Sequence, residues 1–270
     1  MAFNPADYVV PTAKPIPVLL LLDTSGSMSG PKINTLNSAV RQMLSAFAKE
    51  GTREVEVQVS IITFGSSVTR LQPFTPVSSI DFQPLTADGM TPLGMALRAA
   101  KDMIEDKNET PGRAYRPTVV LVSDGQPNDQ WEEPLRAFIS DGRSSKCDRM
   151  AMAIGRDADK GILGKFIEGT QNPLFEAHQA SEIQRFFKFV TMSVTTRMHS
   201  QNPHQVPDLR TTFMSSSPET PPTSLPGGTP SPVSIVRPFS PQNQNALGSV
   251  SAAPSANSST ESSSSDDEYF

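Results

Sequence analysis

The 270 residues carry 23 Lys and Arg against 28 Asp and Glu, a net charge of -5 with no basic cluster beyond short mixed stretches, which excludes nucleic acid as an expected partner. From about Gln201 onward Pro, Ser, Thr, Gln and Asn dominate, and such a segment buries too little apolar surface to offset its chain entropy. Roughly 200 residues remain for one folded domain, whose single Cys147 excludes an intramolecular disulfide and fits a reducing compartment.

Residues 1–14 lack the basic start, long apolar core and cleavage site of a signal peptide, and the apolar run 18–22 is too short to span a bilayer. The expectation is a cytoplasmic protein with no membrane span. Pro11, Pro15 and Pro17 keep this extension drawn out until a strand begins near Ile16. The strand runs Val18-Leu19-Leu20-Leu21-Leu22 and stops at Asp23-Thr24-Ser25-Gly26-Ser27-Met28-Ser29-Gly30. After Pro31, a residue favoured in a first helical turn, Ile33, Leu36, Val40, Met43, Leu44 and Phe47 predict an amphipathic helix ending near Gly51.

Residues 55–64 alternate and then become wholly apolar, as a strand entering a covered sheet does. After Gly65, residues 68–71 predict a short partner strand at the sheet's edge. Residues 81–92 read as a loop, and Thr91-Pro92 opens a helix marked by Leu93, Ala96, Leu97, Ala100, Met103 and Ile104. A second apolar strand, Thr118-Val119-Val120-Leu121-Val122, again runs into a carboxylate at Ser123-Asp124-Gly125. A helix over 132–140, a strand over 149–155, a helix over 160–168, a brief strand at 174–176 and a helix over 180–198 complete the pattern. This alternation predicts an α/β fold: an open, doubly wound, mostly parallel sheet with one antiparallel edge strand and helices on both faces. The expected organisation is an extension 1–14, one domain 15–198, and a Pro- and Ser-rich tail 199–270 with an acidic end.

Asp23, Ser25 and Ser27 stand at i, i+2 and i+4, and a turn through Gly26 aims all three at one small volume suited to a hard divalent cation. Ser and Asp are also ordinary capping residues, so the stretch serves equally as a strand end followed by a helix cap. In open parallel sheets, ligands bind outside the carboxyl ends of strands, which brings Asp124 and Thr91 to the same place as Asp23, Ser25 and Ser27. All five are oxygen donors of the kind Mg²⁺, Mn²⁺ or Ca²⁺ accepts.

Asp23-Thr24-Ser25-Gly26-Ser27 resembles the DxSxS motif of von Willebrand factor A domains, Gly89-Met90-Thr91-Pro92-Leu93 their Thr loop, and Val122-Ser123-Asp124-Gly125 their Asp loop. The resemblance covers about residues 15–198. It implies a metal-ion-dependent adhesion site (MIDAS) in which Ser25, Ser27 and, with ligand engaged, Thr91 touch the metal. Asp23 and Asp124 then act largely through water or as orienting groups, and a partner's Glu or Asp completes the octahedron. Within the family the chain most resembles the TerY-type bacterial proteins linked with tellurium resistance and stress. That likeness implies a PP2C-like phosphatase or a protein kinase as partner, and no enzymatic activity of its own.

The alternative function is a Mg²⁺-dependent phosphotransferase with Asp23 as nucleophile. That chemistry wants a second carboxylate two positions on, where this chain has Ser25. A serine hydrolase elbow would place its nucleophile at Met28, and no P-loop is present. Trp131, beside Glu132 and Glu133, reads first as a residue packed at a helix start and second as a partner anchor. In the tail, Asp266, Asp267 and Glu268, followed by Tyr269 and Phe270, form an acidic end that reads as a solubilising tail, a docking motif or a contact to the metal in cis.

Overall fold

The structure is a computed structural model and describes residues 13–52 and 54–209. The extension before residue 13, the tail from 210 and the cis contact expected of its acidic end lie outside the described residues.

Among the described residues six strands form one sheet: β1 (Lys14–Asp23), β2 (Val55–Phe64), β3 (Val68–Pro76), β4 (Thr118–Ser123), β5 (Asp148–Ile154) and β6 (Leu174–Ala177). Their order is β3-β2-β1-β4-β5-β6, every pairing parallel except β2 with β3. The chain therefore winds outward from β1 in one direction and then from β4 in the other, with the reversal between those two strands. The hairpin partner β3 reaches Pro76 and so runs well past the expected 68–71. Pro73 and Pro76 lie within it, and an edge strand accommodates proline because its outer side needs no backbone donor.

Among the described residues five α-helices cover the sheet: α1 (Pro31–Lys49), α2 (Leu93–Glu105), α3 (Glu132–Ser140), α4 (Lys160–Ile167) and α5 (Ala180–Met198). The unbroken apolar run of β1 is required because both of its faces are buried. Ile16, Val18, Leu20 and Leu22 join the cluster under α1 and α5, while Leu19 and Leu21 join the one under α2, α3 and α4. At roughly 1.5–3 kcal/mol per fully buried aliphatic side chain, this central strand is a major source of the fold's stability.

At the end of the sheet where the parallel strands begin, Arg197 is wholly buried. Its guanidinium donates to Thr118 Oγ1 at 2.7 Å, to the Pro203 carbonyl at 2.9 Å and to the Arg116 carbonyl. Residues 199–209, assigned by composition to the tail, therefore follow α5 back onto the domain: Pro203 is buried and Leu209 packs against the core. One buried arginine in a last helical turn needs carbonyl partners, and composition gives no sign of that. Cys147 is buried at this same end, and burial pushes its thiol up to about 12.

Candidate functional site

Three loops meet where the parallel strands end. The first leaves β1 at Asp23 and turns through a short 3-10 helix, Gly26–Met28, into α1. The second carries Asp88 to Pro92 into α2, and the third runs from Asp124 to Trp131 into α3. Backbone bonds fasten the first two together: Gly26 N donates to Gly89 O at 2.9 Å and Asp88 N to Thr24 O at 2.7 Å. Gly89 has φ +81°, and a β-carbon there would stand 2.3 Å from Ser66 N, so only glycine lets this loop approach the β2–β3 turn.

The third loop is fastened to the second by side chains. Asn128 Oδ1 accepts from Thr91 N at 3.0 Å while Asn128 N donates to Thr91 O at 3.1 Å. The Asp129 carboxylate accepts from Gly94 N and Met95 N, each at 2.9 Å, and so satisfies two free donors in the first turn of α2. Farther back, buried Asn37 of α1 exchanges bonds with Leu85 N and O at 2.8 and 2.9 Å, which anchors the approach to Thr91.

Within this frame the five sequence-selected residues come together. Asp23 is wholly buried; its Oδ1 accepts from Ser25 N at 2.8 Å and its Oδ2 from Ser123 Oγ at 2.6 Å. Ser25 Oγ and Ser27 Oγ lie 3.0 Å apart, and Ser27 Oγ donates to Asp124 Oδ1 at 2.7 Å. The other Asp124 oxygen accepts from Lys32 Nζ. Thr91 is buried, and its Oγ1 lies 3.3 Å, with Ser27 Oγ 3.8 Å, from the point where a β-carbon on Gly125 would stand. A side chain on residue 125 would thus fill the space between two hydroxyls from different loops.

Burial raises the Asp23 pKa above its ordinary value; hydrogen bonds from Ser123 and Ser25 oppose that rise, and the charge of Asp124 adds to it. Two neighbouring carboxylates, only one of them paired with an ammonium, make a place where added positive charge is favourable. The donor chemistry fits a hard cation: two carboxylates and three hydroxyls converge. Among the described residues no group of three or more His, Cys, Asp or Glu side chains could hold a metal, so a softer nitrogen or sulfur site has no candidate there. Asp23, with both oxygens occupied and none of its surface exposed, is badly placed to attack a substrate.

Ser123, Lys32, Asn128 and Asp129 had no part in the sequence expectation. Ser123 was visible as the hydroxyl beside Asp124, whereas the other three act on partners 34 or more positions away. Trp131 is half-buried against the α2–α3–α4 cluster at the start of α3, with Lys165 Nζ 5.7 Å from its ring centre. The histidines lie elsewhere. His178 follows β6 and is 3.7 Å from Glu176, His199 pairs with Glu50 at 3.1 Å, and His204 sits 3.3 Å from Lys14 Nζ. Among the described residues no helix is long and apolar enough to cross a membrane.

Residues 18–126 match the family model of the von Willebrand factor type A domain. No curated protein matches the chain. Among solved structures, proximal thread matrix protein 1 from the mussel byssus is similar at 17% identity and TM-score 0.54, over 67% of this chain and 48% of that one. The same mussel protein with a zinc-occupied MIDAS motif gives 16% identity and TM-score 0.52, over 67% and 48%. The ArnB paralog VWA2 from Sulfolobus acidocaldarius gives 15% and 0.51, over 69% and 46%. This chain spans about half the length of each, and at these identities the likeness is one of fold.

Proposed function

We propose that the folded part of this chain is a von Willebrand factor type A domain, whose family model matches residues 18–126, and that it is a metal-dependent protein-binding module whose partner contributes an acidic residue to the cation. The observation that carries the proposal is the convergence of Ser25, Ser27, Thr91, Asp23 and Asp124 from three loops onto one volume. Ser25, Ser27 and Thr91 would hold the cation directly, with Asp23 and Asp124 orienting them and balancing its charge. The cation, when bound, supplies a Lewis-acidic centre for a carboxylate oxygen. The groups that would touch the ion directly are neutral hydroxyls and the two carboxylates stand one shell back, so an outside carboxylate is still attracted to the ion. Metal and partner binding are then linked, each strengthening the other.

Mg²⁺ is the ion proposed, with Mn²⁺ and Ca²⁺ accepted by the same oxygen chemistry; the zinc in the mussel protein's MIDAS is a property of that protein. The setting proposed is cytoplasmic signalling of the TerY type, with a PP2C-like phosphatase or a protein kinase as partner. It is supported by the likeness of Asp23-Thr24-Ser25-Gly26-Ser27-Met28 and Thr91-Pro92-Leu93-Gly94 to that group. The module acts by binding and not by turnover, a view that the burial of Asp23 favours over a phosphotransferase role.

The test is co-purification with wild type and with Ser25→Ala/Ser27→Ala, each in Mg²⁺ and in EDTA, beside direct Mg²⁺ titration. Expected is a partner that needs both the metal and the serines. A partner retained by the variant and in EDTA, or Mg²⁺-dependent phosphoester hydrolysis abolished by Asp23→Asn, overturns the proposal.

A further inference from the structure

We infer that Lys32 is a built-in cation that weakens the site's hold on a divalent metal and strengthens the attraction of the metal-loaded site for a carboxylate. This rests on the metal-dependent binding proposed above and adds how that site is regulated.

Lys32 is the second residue of α1, directly after the loop that carries Ser25 and Ser27. A cation is disfavoured in a helix's first turn, where the backbone dipole already presents positive charge. The first turn of α1 holds no acidic residue to offset it. The compensating partner comes from across the sheet: Lys32 Nζ donates to Asp124 Oδ2, the oxygen left over by Ser27. Among the described residues this is the sole ion pair made by either Asp23 or Asp124.

With both carboxylates ionised, the cluster's formal charge is one negative with Lys32 and two negative without it. A divalent cation brings these to one positive and to zero. Lys32 therefore lowers the attraction for the cation and leaves the loaded site positive toward an incoming acid. The effect is one of charge and position, since nothing requires the ammonium to leave Asp124. Space to shift exists all the same. Lys32 borders a cavity of about 130 Å³ with Ile154, Gly155, His178 and Gln179, and its side chain is 35% exposed.

The experiment is calorimetric titration of the full chain with Mn²⁺, alone and in excess acetate, for wild type, Lys32→Gln, Lys32→Met and Lys32→Arg. Expected for the two neutral variants is Mn²⁺ binding about tenfold tighter than wild type, the size of one unit charge acting on a divalent ion across a partly solvated site. Acetate should tighten Mn²⁺ binding in wild type and Lys32→Arg and do so much less in the neutral variants. Lys32→Met keeps the apolar stem and serves if Lys32→Gln does not fold. A purely structural ion pair would lower the melting temperature in EDTA without tightening the metal. Unchanged or weaker Mn²⁺ binding in both neutral variants overturns the inference alone. Folded wild type that takes up no Mn²⁺ overturns both it and the metal-dependent function.

Discussion

Asn128 and Thr91 hold each other at both backbone groups of the threonine: the Asn128 carboxamide oxygen takes the Thr91 N–H at 3.0 Å, and the Asn128 N–H reaches the Thr91 carbonyl at 3.1 Å. Asn128 is exposed and Thr91 buried, so the exposed residue positions the buried hydroxyl. Asn128→Ala leaves a buried N–H without its acceptor, a loss of about 1–2 kcal/mol, or a fall of roughly 2–8 °C in melting temperature. Mn²⁺ affinity should fall with it, and Asn128→Asp, which keeps an acceptor, should recover most of both. Thermal unfolding beside a Mn²⁺ titration checks this; wild-type metal affinity in Asn128→Ala would detach Thr91 from the site.

Two glycines should respond in opposite ways. Gly125→Ala places a methyl 3.3 Å from Thr91 Oγ1 and 3.8 Å from Ser27 Oγ, filling the space between two donors while straining no backbone. The fold should survive, with Mn²⁺ affinity at least about tenfold weaker. Gly89→Ala instead combines φ +81° with a β-carbon 2.3 Å from Ser66 N, which costs about 1–3 kcal/mol for the backbone alone. Circular dichroism and calorimetry separate the two, and equal loss of folding in both variants contradicts the assignment.

Stability should depend on pH through Asp23. Its native pKa is raised by burial, so between the unfolded and native values the native state holds a proton that the unfolded chain has lost. Metal-free stability therefore falls as pH rises from the ordinary value of 3.8 through the raised native pKa, and Asp23→Asn should remove that fall. Metal binding runs the other way, because the cation needs the ionised carboxylate and weakens as pH drops through the native pKa. Unfolding curves in EDTA and in Mn²⁺ across acid to neutral pH test both signs. Parallel metal-free profiles for wild type and Asp23→Asn would refute them.

At the far end of the sheet, Arg197→Met deprives Thr118 Oγ1 and two carbonyls of their donor and should cost about 3–5 kcal/mol. Protease should then cut within 199–209, which loses its anchor at Pro203. Stability within 1 kcal/mol of wild type and unchanged cleavage would show the segment to be held by something else.

Cys147, with its thiol raised to about 12 by burial, should react with a thiol reagent at least about a hundredfold more slowly in the native protein than in denaturant. Rapid native labelling would mean that this end opens readily.

The fold was legible because its signals are local. An apolar run with Leu at four successive positions of β1, Leu19 to Leu22, must be covered on both faces, and the stripe Ile33, Leu36, Val40, Met43 can serve only a helix. That Asp23, Thr91 and Asp124 meet was expected from the rule that open parallel sheets bind ligands outside the carboxyl ends of their strands, and β1 and β4, which carry Asp23 and lead to Asp124, flank the reversal. What escaped were residues whose role lies in a distant partner. Lys32 looks like any polar position on a helix, Asn128 and Asp129 like turn residues, and Asn37 like an interruption of an apolar stripe. Each is defined by a bond across at least 35 positions, and spacing along the chain carries no trace of it.

The bonds from Ser27 to Asp124 and from Ser123 to Asp23 join residues 97 and 100 positions apart. During synthesis, then, the first loop is made long before its counterpart exists, and it stays a bare hydroxyl-lined turn until β4 has emerged and slotted beside β1. Loop closure on that scale is slow compared with forming a helix. Cation capture should consequently follow the docking of β4 beside β1 rather than guide it, and a nascent chain halted before residue 124 should take up no more metal than an unfolded peptide.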